Sequence, residues 1–247
     1  MSYRHQKIKS SAHIFLRVCH TGLVSSGVRA ENRRRQTDLI VSTAQALVAR
    51  DGASALSLRE VARELNMASS AIYRYFATRD ELLTTLIVNA YNDMGAAVEK
   101  ADAKLSTAGH RERFVGVARA VRRWALRHPH DYALIFGTPV SGYVAPADTI
   151  VAATRVSAVL GRILSQADTT TSPPSAAERA MVDVDAVTAV TGPLSGPRMI
   201  DALSAWSAIY GLISFELFGH FVGSVKKNDA FFDAALHSWA DRFGLPN

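Results

Sequence analysis

The chain has a single cysteine, Cys19, among its 247 residues. That excludes an internal disulfide and any cysteine-based zinc cluster, and it removes the reason to look for an oxidising compartment. Also missing is any apolar run of the ~18 uninterrupted residues that a membrane-spanning helix needs, because charged or polar residues break each candidate stretch. A soluble, cytoplasmic protein without a membrane partner is expected. Acidic residues are absent from the first thirty positions, where Arg4, Lys7, Lys9, Arg17 and Arg29 supply +5 of the net charge of +6. The rest of the chain is nearly neutral, so a case for nucleic acid has to rest on local arrangement and not on overall basicity.

That basic segment does not read as a signal peptide, since Arg17, Cys19 and His20 interrupt its apolar stretch and no A-x-A cleavage signal follows. It also lacks the amphipathic helix of a membrane-surface anchor. Residues 1–30 are therefore expected to be a disordered basic arm, dispensable for folding, or residues upstream of the true start. What the chain has in quantity is apolar residues, at 48% enough for two cores.

Helical periodicity begins only after "ENRRRQ". In "RQTDLIVSTAQALVARDG", Ile40, Ala44, Leu47 and Val48 share one face and Gly52 ends the run. Ser57 with Glu60 then reads as a capping box, followed by the apolar face Leu58, Val61, Ala62 and Leu65. Asn66 tolerates the left-handed conformation that closes a helix, so a tight turn is expected over Asn66, Met67 and Ala68. Thr78 and Glu81 form a second capping box, and behind it Leu82, Leu83, Leu86, Ile87, Ala90, Tyr91 and Met94 sustain a stripe for several turns. Between the turn and Thr78 there is room for about two helical turns, from Ser69 to Phe76. Ile72 and Phe76 pin its inner side while Ser69, Ser70, Ala71, Tyr73 and Arg74 face out. A helix so short is marginal alone and must be held by its neighbours. Helix, tight turn and short helix with a small, polar outer face is the layout of a helix-turn-helix, whose second helix enters the major groove.

Over residues 35–83 the chain resembles the TetR family of transcriptional regulators, through "ALSLREVARELN", "AIYRYF" and "ATRDELL". Two positions depart from the family pattern: Asn66 stands where it mostly has Gly, and Ala68 where a small hydroxyl residue often caps the recognition helix, which leaves Ser69 as the expected cap. The resemblance implies an all-α protein with an N-terminal three-helix DNA-binding domain, residues 31–80, and a helical ligand-binding and dimerisation domain, residues 81–247. It also implies that Tyr73 and Tyr75 meet phosphate and that Ser69, Ser70, Ala71 and Arg74 face bases or nearby backbone. Arg59 would reach a base edge and Arg79 a phosphate, roles suited to the guanidinium fork.

In the second half, Trp124, His128 and Gly137 resemble the signature of the WHG domain, a C-terminal regulatory domain found in one branch of that family. Tyr91, Trp124, His128, Phe136, Tyr143, Trp206 and Tyr210, with Phe215, are candidates to line a ligand pocket; for any single aromatic among them a place in the core is the default role. His128 and His130, separated by Pro129, are better explained by a turn than by a metal, and neither a metal nor another cofactor is expected. Residues 168–197, rich in Thr, Ser, Pro and Gly, read as a flexible connection interrupted by a short helix. The last two helices carry more apolar surface than one face requires, with Trp206, Ile209, Ile213, Leu217 and Phe221 on one and Phe231, Phe232, Leu236 and Trp239 on the next. Excess of this kind points to a partner. By resemblance, Ile209, Ile213, Leu217, Phe221, Phe232, Leu236 and Trp239 are assigned to a homodimer interface.

The resulting expectation is a homodimeric repressor, bound to a double-stranded inverted-repeat operator and released by a small-molecule effector. The alternatives are a constitutive DNA-binding protein or activator, and a DNA-binding head fused to an enzyme. Against an enzyme, the sequence shows no Ser/His/Asp order, phosphate-cradling Gly loop or metal-ligand spacing.

Overall fold

The computed structural model describes residues 7–168 and 172–245, with side chains from residue 27 onward. Among the described residues there are helices and turns but no strand. The chain divides into two compact units, Met1–Leu82 and Leu83–Asn247.

The first unit is built from α1 (Lys7–Asp51), a single 3₁₀ turn at Ala53–Ala55, α2 (Leu58–Glu64), α3 (Ser69–Ile72) and the first turn of α4 (Arg79–Lys104). Its core is made by the periodic residues: Ile40, Ala44 and Leu47 from α1, Leu58, Val61 and Ala62 from α2, then Ile72 and Phe76. Burying these side chains is the main source of stability for helices this short. Helix α1 starts far upstream of the periodic segment. Its backbone is helical from Lys7, through most of the stretch for which the sequence predicts an arm, whereas residues 1–6 lie outside the described residues. Side chains 27–35 are all exposed, so this part of the extension adds nothing to the core.

The second unit packs α5 (His110–Arg127), α6 (Pro129–Phe136), α7 (Thr149–Ala153), α8 (Arg155–Ala167), α9 (Ala176–Met181), α10 (Val184–Thr191), α11 (Gly196–Leu217) and α12 (Asn228–Arg242) with the remainder of α4. At its centre is α5, whose Phe114, Val117, Ala118, Val121 and Trp124 are buried and which packs against α8, α11 and α12. Helix α8 contributes Val156, Val159, Leu160, Ile163 and Leu164. Gly161 on the same helix allows α10 to come close, because a Cβ there would fall within 3 Å of the Thr191 backbone and side chain. Two short helices, α9 and α10, occupy the connection expected to contain one. Both are capped by side chains: Ser175 and Glu178 form a capping box, and Asp183 accepts the Ala186 N–H at 3.0 Å. Residues 169–171 lie outside the described residues.

The assignment of the last two helices to a dimer interface needs correcting in detail. Ile209, Ile213, Phe232 and Leu236 are buried in the unit's own core, and Leu217 and Trp239 pack partly against it. Both faces of α11 are apolar, so periodicity alone could not separate the face that covers α5 from the face left outside. The exposed large apolar residues here are Trp206, Phe215, Phe218, Val222 and Phe231, with edge contacts of Phe221 to Phe215 and Phe231.

One buried charge ties three elements of this unit. Asp102, near the end of α4, is 6% exposed and accepts hydrogen bonds from Arg113 of α5 at 2.9 and 3.1 Å and from Arg162 of α8 at 3.0 Å. Burial alone would raise its pKa, but the two arginines outweigh burial and hold the carboxyl below the usual aspartate range. Asp102→Ala should therefore cost about 3–5 kcal/mol by leaving Arg113 without its buried partner. Because the folded-state pKa is depressed, this contribution is complete above the unfolded value of about 3.9 and lost as pH falls through and below it. Thermal melts should show a lower melting temperature for the variant at pH 7, with the gap to the parent closing at acid pH; a pH-independent gap would contradict the charged role of Asp102.

Candidate DNA interface and ligand cavity

The turn between α2 and α3 has the geometry the sequence predicts. Asn66 adopts φ 52°, in the left-handed region, while the Met67 N–H reaches the Ala62 carbonyl at 2.8 Å and the Asn66 N–H the Arg63 carbonyl at 3.1 Å. These are the paired bonds of a Schellman motif, with Asn in the place that Gly usually fills. The caps depart from expectation. Ser57 makes no side-chain cap bond, and Glu60 is instead held by Arg63, one helical turn on. Ala68, not Ser69, is the N-cap of α3. At the second box Thr78 Oγ1 accepts the Glu81 N–H at 3.1 Å, and the Glu81 carboxylate accepts the N–H of Ala77.

Helix α3 is a single turn. Beyond Ile72 the chain continues in tighter i to i+3 bonds, from Arg74 N–H to Ala71 and from Tyr75 N–H to Ile72. The buried Ile72 and Phe76 hold its inner side, and Ser69, Ser70, Tyr73 and Arg74 are exposed. Ala71 and Tyr75 are half-buried. Arg59 extends into solvent from the first turn of α2. These residues form a small, polar and cationic face of the kind that fits a major groove.

Two arginines behave differently from the others. Arg79, expected at a phosphate, donates from Nε to the Leu56 carbonyl at 2.9 Å and from Nη2 to the Ala53 carbonyl at 3.0 Å, and its Nη1 lies 3.2 Å from Asp80. It fastens the start of α4 to the 3₁₀ turn between α1 and α2. Arg33, which sequence reasoning missed, donates to the Arg74 carbonyl at 3.0 Å and stacks over the Tyr75 ring at 5.5 Å. One turn further, Gln36 Nε2 approaches Met67 Sδ at 3.3 Å. The run "RRRQ" just before the apolar stripe was the available signal, since its residues lie one to two turns ahead of Ile40 on the helix that packs against α2.

In the second unit lies a cavity of about 750 Å³. Its walls come from Ile87 and Tyr91 of α4, the last turn of α6, the loop after it, α7, α8, α10 and Ala202–Tyr210 of α11. Of the pocket residues the sequence proposes, Tyr91, Phe136, Tyr143, Trp206 and Tyr210 line this space. Four of these rings are in contact: Phe136 lies 4.3 Å from Tyr210 and 6.0 Å from Tyr91 between centroids, and Trp206 lies 6.1 Å from Tyr210. Burial pushes the phenol pKa values of Tyr91 and Tyr210 upward, so both are neutral hydroxyls near neutral pH.

Trp124 and His128 stand away from the lining. Trp124 is buried and donates its indole N–H to Asp93 of α4 at 2.6 Å, and the His128 ring stacks on it at 5.4 Å. Phe215 is exposed on α11 instead. Gly137 does reach the cavity, and a Cβ there would run into the Ala133 carbonyl, which accepts the Gly137 N–H at 2.9 Å. Thus Trp124 and His128 brace α4, α5 and α6, while Gly137 lets the chain leave α6 along the cavity wall. The described residues contain no group of three or more His, Cys, Asp or Glu that could hold a metal ion. No helix among them is long and apolar enough to cross a membrane.

A helix-turn-helix head followed by a helical unit with an internal cavity defines a class of transcriptional regulators, and comparison with known proteins supplies the family. Residues 40–86 match the family described as bacterial regulatory proteins, tetR family, and residues 114–239 match the tetracyclin repressor-like C-terminal domain. The HTH-type transcriptional regulator Rv1816 of Mycobacterium tuberculosis is 34% identical over 210 residues, which cover 83% of this chain and 89% of that one. The crystal structure of the regulatory protein SCO4313 has 34% identity and a TM-score of 0.73, covering 86% of this chain and 98% of that one. A protein of unknown function from Rhodococcus sp. RHA1, at 24% identity and TM-score 0.59 over 85% of this chain and 95% of that one, shares the fold. The chain belongs to the TetR family and is a helix-turn-helix transcriptional regulator.

The bonds made by the two arginines set them apart experimentally. Arg79→Ala removes charge-assisted bonds to carbonyls and should destabilise the protein by about 1.5–3 kcal/mol. Arg59→Ala, at an exposed position, should stay within about 0.5 kcal/mol of the parent. Urea denaturation followed by circular dichroism measures both; equal stability of the two variants would mean that the Arg79 clamp contributes nothing.

Proposed function

We propose that the protein is a homodimeric repressor that binds a double-stranded, inverted-repeat operator through α3 and is released when a small molecule fills the cavity of the second unit. It acts by binding and not by catalysis. The observation that carries the gating step is a hydrogen bond. Tyr143 lines the cavity, and its hydroxyl lies 2.9 Å from Thr84 Oγ1 on α4. Helix α4 begins at Arg79, whose guanidinium holds the carbonyls between α1 and α2. A ligand that displaces Tyr143 acts directly on the helix that starts with this clamp. Such a ligand shifts the DNA-binding equilibrium only by its difference in affinity for the two states of the protein.

Operator contact divides between reading and positioning. The exposed fork of Arg59 suits a base edge, whereas the Tyr73 hydroxyl suits phosphate. Arg59→Ala should relax the preference at one operator position, at a cost of ~1–3 kcal/mol, while Tyr73→Phe weakens all sequences about equally. Binding to a panel of single-base operator variants separates the two; equal, sequence-independent losses would remove Arg59 from base readout.

For the homodimer, the exposed aromatic group Phe215, Phe218 and Phe231 at the end of α11 and the start of α12 is the favoured contact. An apolar face of this kind is normally covered in solution. The double variant Phe215→Glu, Phe231→Glu should shift sedimentation toward monomer and weaken operator binding, with the helical circular dichroism signal kept. A variant that remains fully dimeric would move the interface elsewhere. Gating is tested with Tyr143→Phe and any apolar ligand that releases the parent from DNA. The variant should keep ligand affinity within about threefold, a difference of ~0.6 kcal/mol, and lose most of the ligand-induced release seen by fluorescence anisotropy of labelled operator. Undiminished release would take the Tyr143–Thr84 bond out of the mechanism.

A further inference from the structure

Three threonines of the cavity wall present acceptors, and this bears on the charge of what enters it. Thr149 donates its hydroxyl proton to the Pro146 carbonyl at 2.7 Å, Thr154 to Ile150 at 2.9 Å, and Thr191 to Val187 at 3.0 Å. Each of these three hydroxyls has its single proton committed, so it presents only oxygen lone pairs to a ligand. Asp183 adds a carboxylate to the wall. The last turn of α6, Leu134–Phe136, adds the carbonyl end of a helix, which carries partial negative charge. Among the described lining residues there is no lysine, arginine or histidine; Tyr91, Tyr143 and Tyr210 add phenol O–H groups, and burial keeps those of Tyr91 and Tyr210 neutral. The remaining wall is aliphatic and aromatic.

Resting on the proposal that this cavity takes the effector, we infer that it selects uncharged, largely apolar molecules bearing a hydrogen-bond donor such as an alcohol or amide, and excludes carboxylates and other anions. A donor on the ligand meets threonine oxygens already oriented by their own bonds. A carboxylate brought to the same place loses its hydration, meets no cation, and faces Asp183 and the α6 carbonyls, so only neutral hydroxyls are left to offset its charge. Thr149, Thr154 and Thr191 are thereby specificity-determining residues that act through lone pairs.

The test uses a matched pair of probes, 1-decanol and decanoate, titrated calorimetrically into the full-length protein at pH 7.5. Both carry the same chain and differ in charge at one end. The alcohol should bind at least tenfold more tightly than the carboxylate. Equal or tighter binding of decanoate overturns the exclusion of anions while leaving the cavity as an effector site. Binding of neither probe overturns the effector reading itself, and this inference with it. A second measurement places the preference in the wall: Val187→Lys should improve decanoate binding at least tenfold relative to decanol, and Ala186→Lys serves the same end if the first variant fails to fold. Unchanged discrimination in a folded lysine variant would show that the selectivity does not arise in this cavity.

Discussion

The burial of Ile72 and Phe76 holds the DNA-binding face in place. A helix of one turn has no stability of its own, because nucleation costs more than one turn returns, so α3 exists only as long as its inner side is packed between better helices. Everything presented to DNA follows from that constraint. The Schellman turn at Asn66 sets the angle at which the chain enters α3, and Arg33 secures the far end by bonding the Arg74 carbonyl and stacking on Tyr75. The outer face can then be small and polar at little stability cost, since the buried Ile72 and Phe76 that hold the helix lie on the other side.

A similar division between holding and functional residues runs through the second unit. Trp124, His128 and Asp93 brace α4, α5 and α6, and Asp102 gathers Arg113 and Arg162 around the end of α4. Tyr132, buried beneath the cavity aromatics, bonds the Tyr210 carbonyl at 3.0 Å and Ser214 Oγ at 2.9 Å, and burial pushes its phenol up to about 12. With α4, α6 and α11 fixed in this way, an apolar space of about 750 Å³ stays open among Tyr91, Phe136, Trp206 and Tyr210. A concave, mainly apolar space of this size with a few polar groups in its wall is the physical argument for a ligand.

Features that depend on neighbours along the chain could be read from the sequence. The stripes of α1, α2 and α4, the left-handed Asn66 and the inner pair Ile72 and Phe76 all follow from local spacing and backbone preference. Features that depend on competition between partners could not. Glu60 was equally able to cap α2 or to pair with Arg63, and in the fold it pairs. Arg79 looked like a free cation because the carbonyls it binds come from more than twenty residues away. Ile209, Ile213, Phe232 and Leu236 have the spacing of an interface but also of a core, and which one they form depends on how α5 lies beneath them. Trp124 and His128 belong to the signature that marks this half, yet they brace the cavity from outside it. The five pocket aromatics were identifiable as aromatics on apolar helices, but their convergence on one space comes only from the tertiary fold.

The central claim is that α3 of two copies reads the two halves of an inverted repeat. Selection of bound sequences from a random double-stranded DNA pool tests it most directly. The account predicts enrichment of an inverted repeat, with Arg59→Ala altering the selected base at one symmetric pair of positions. Enrichment of a single, unrepeated site, or of no sequence at all, would contradict it.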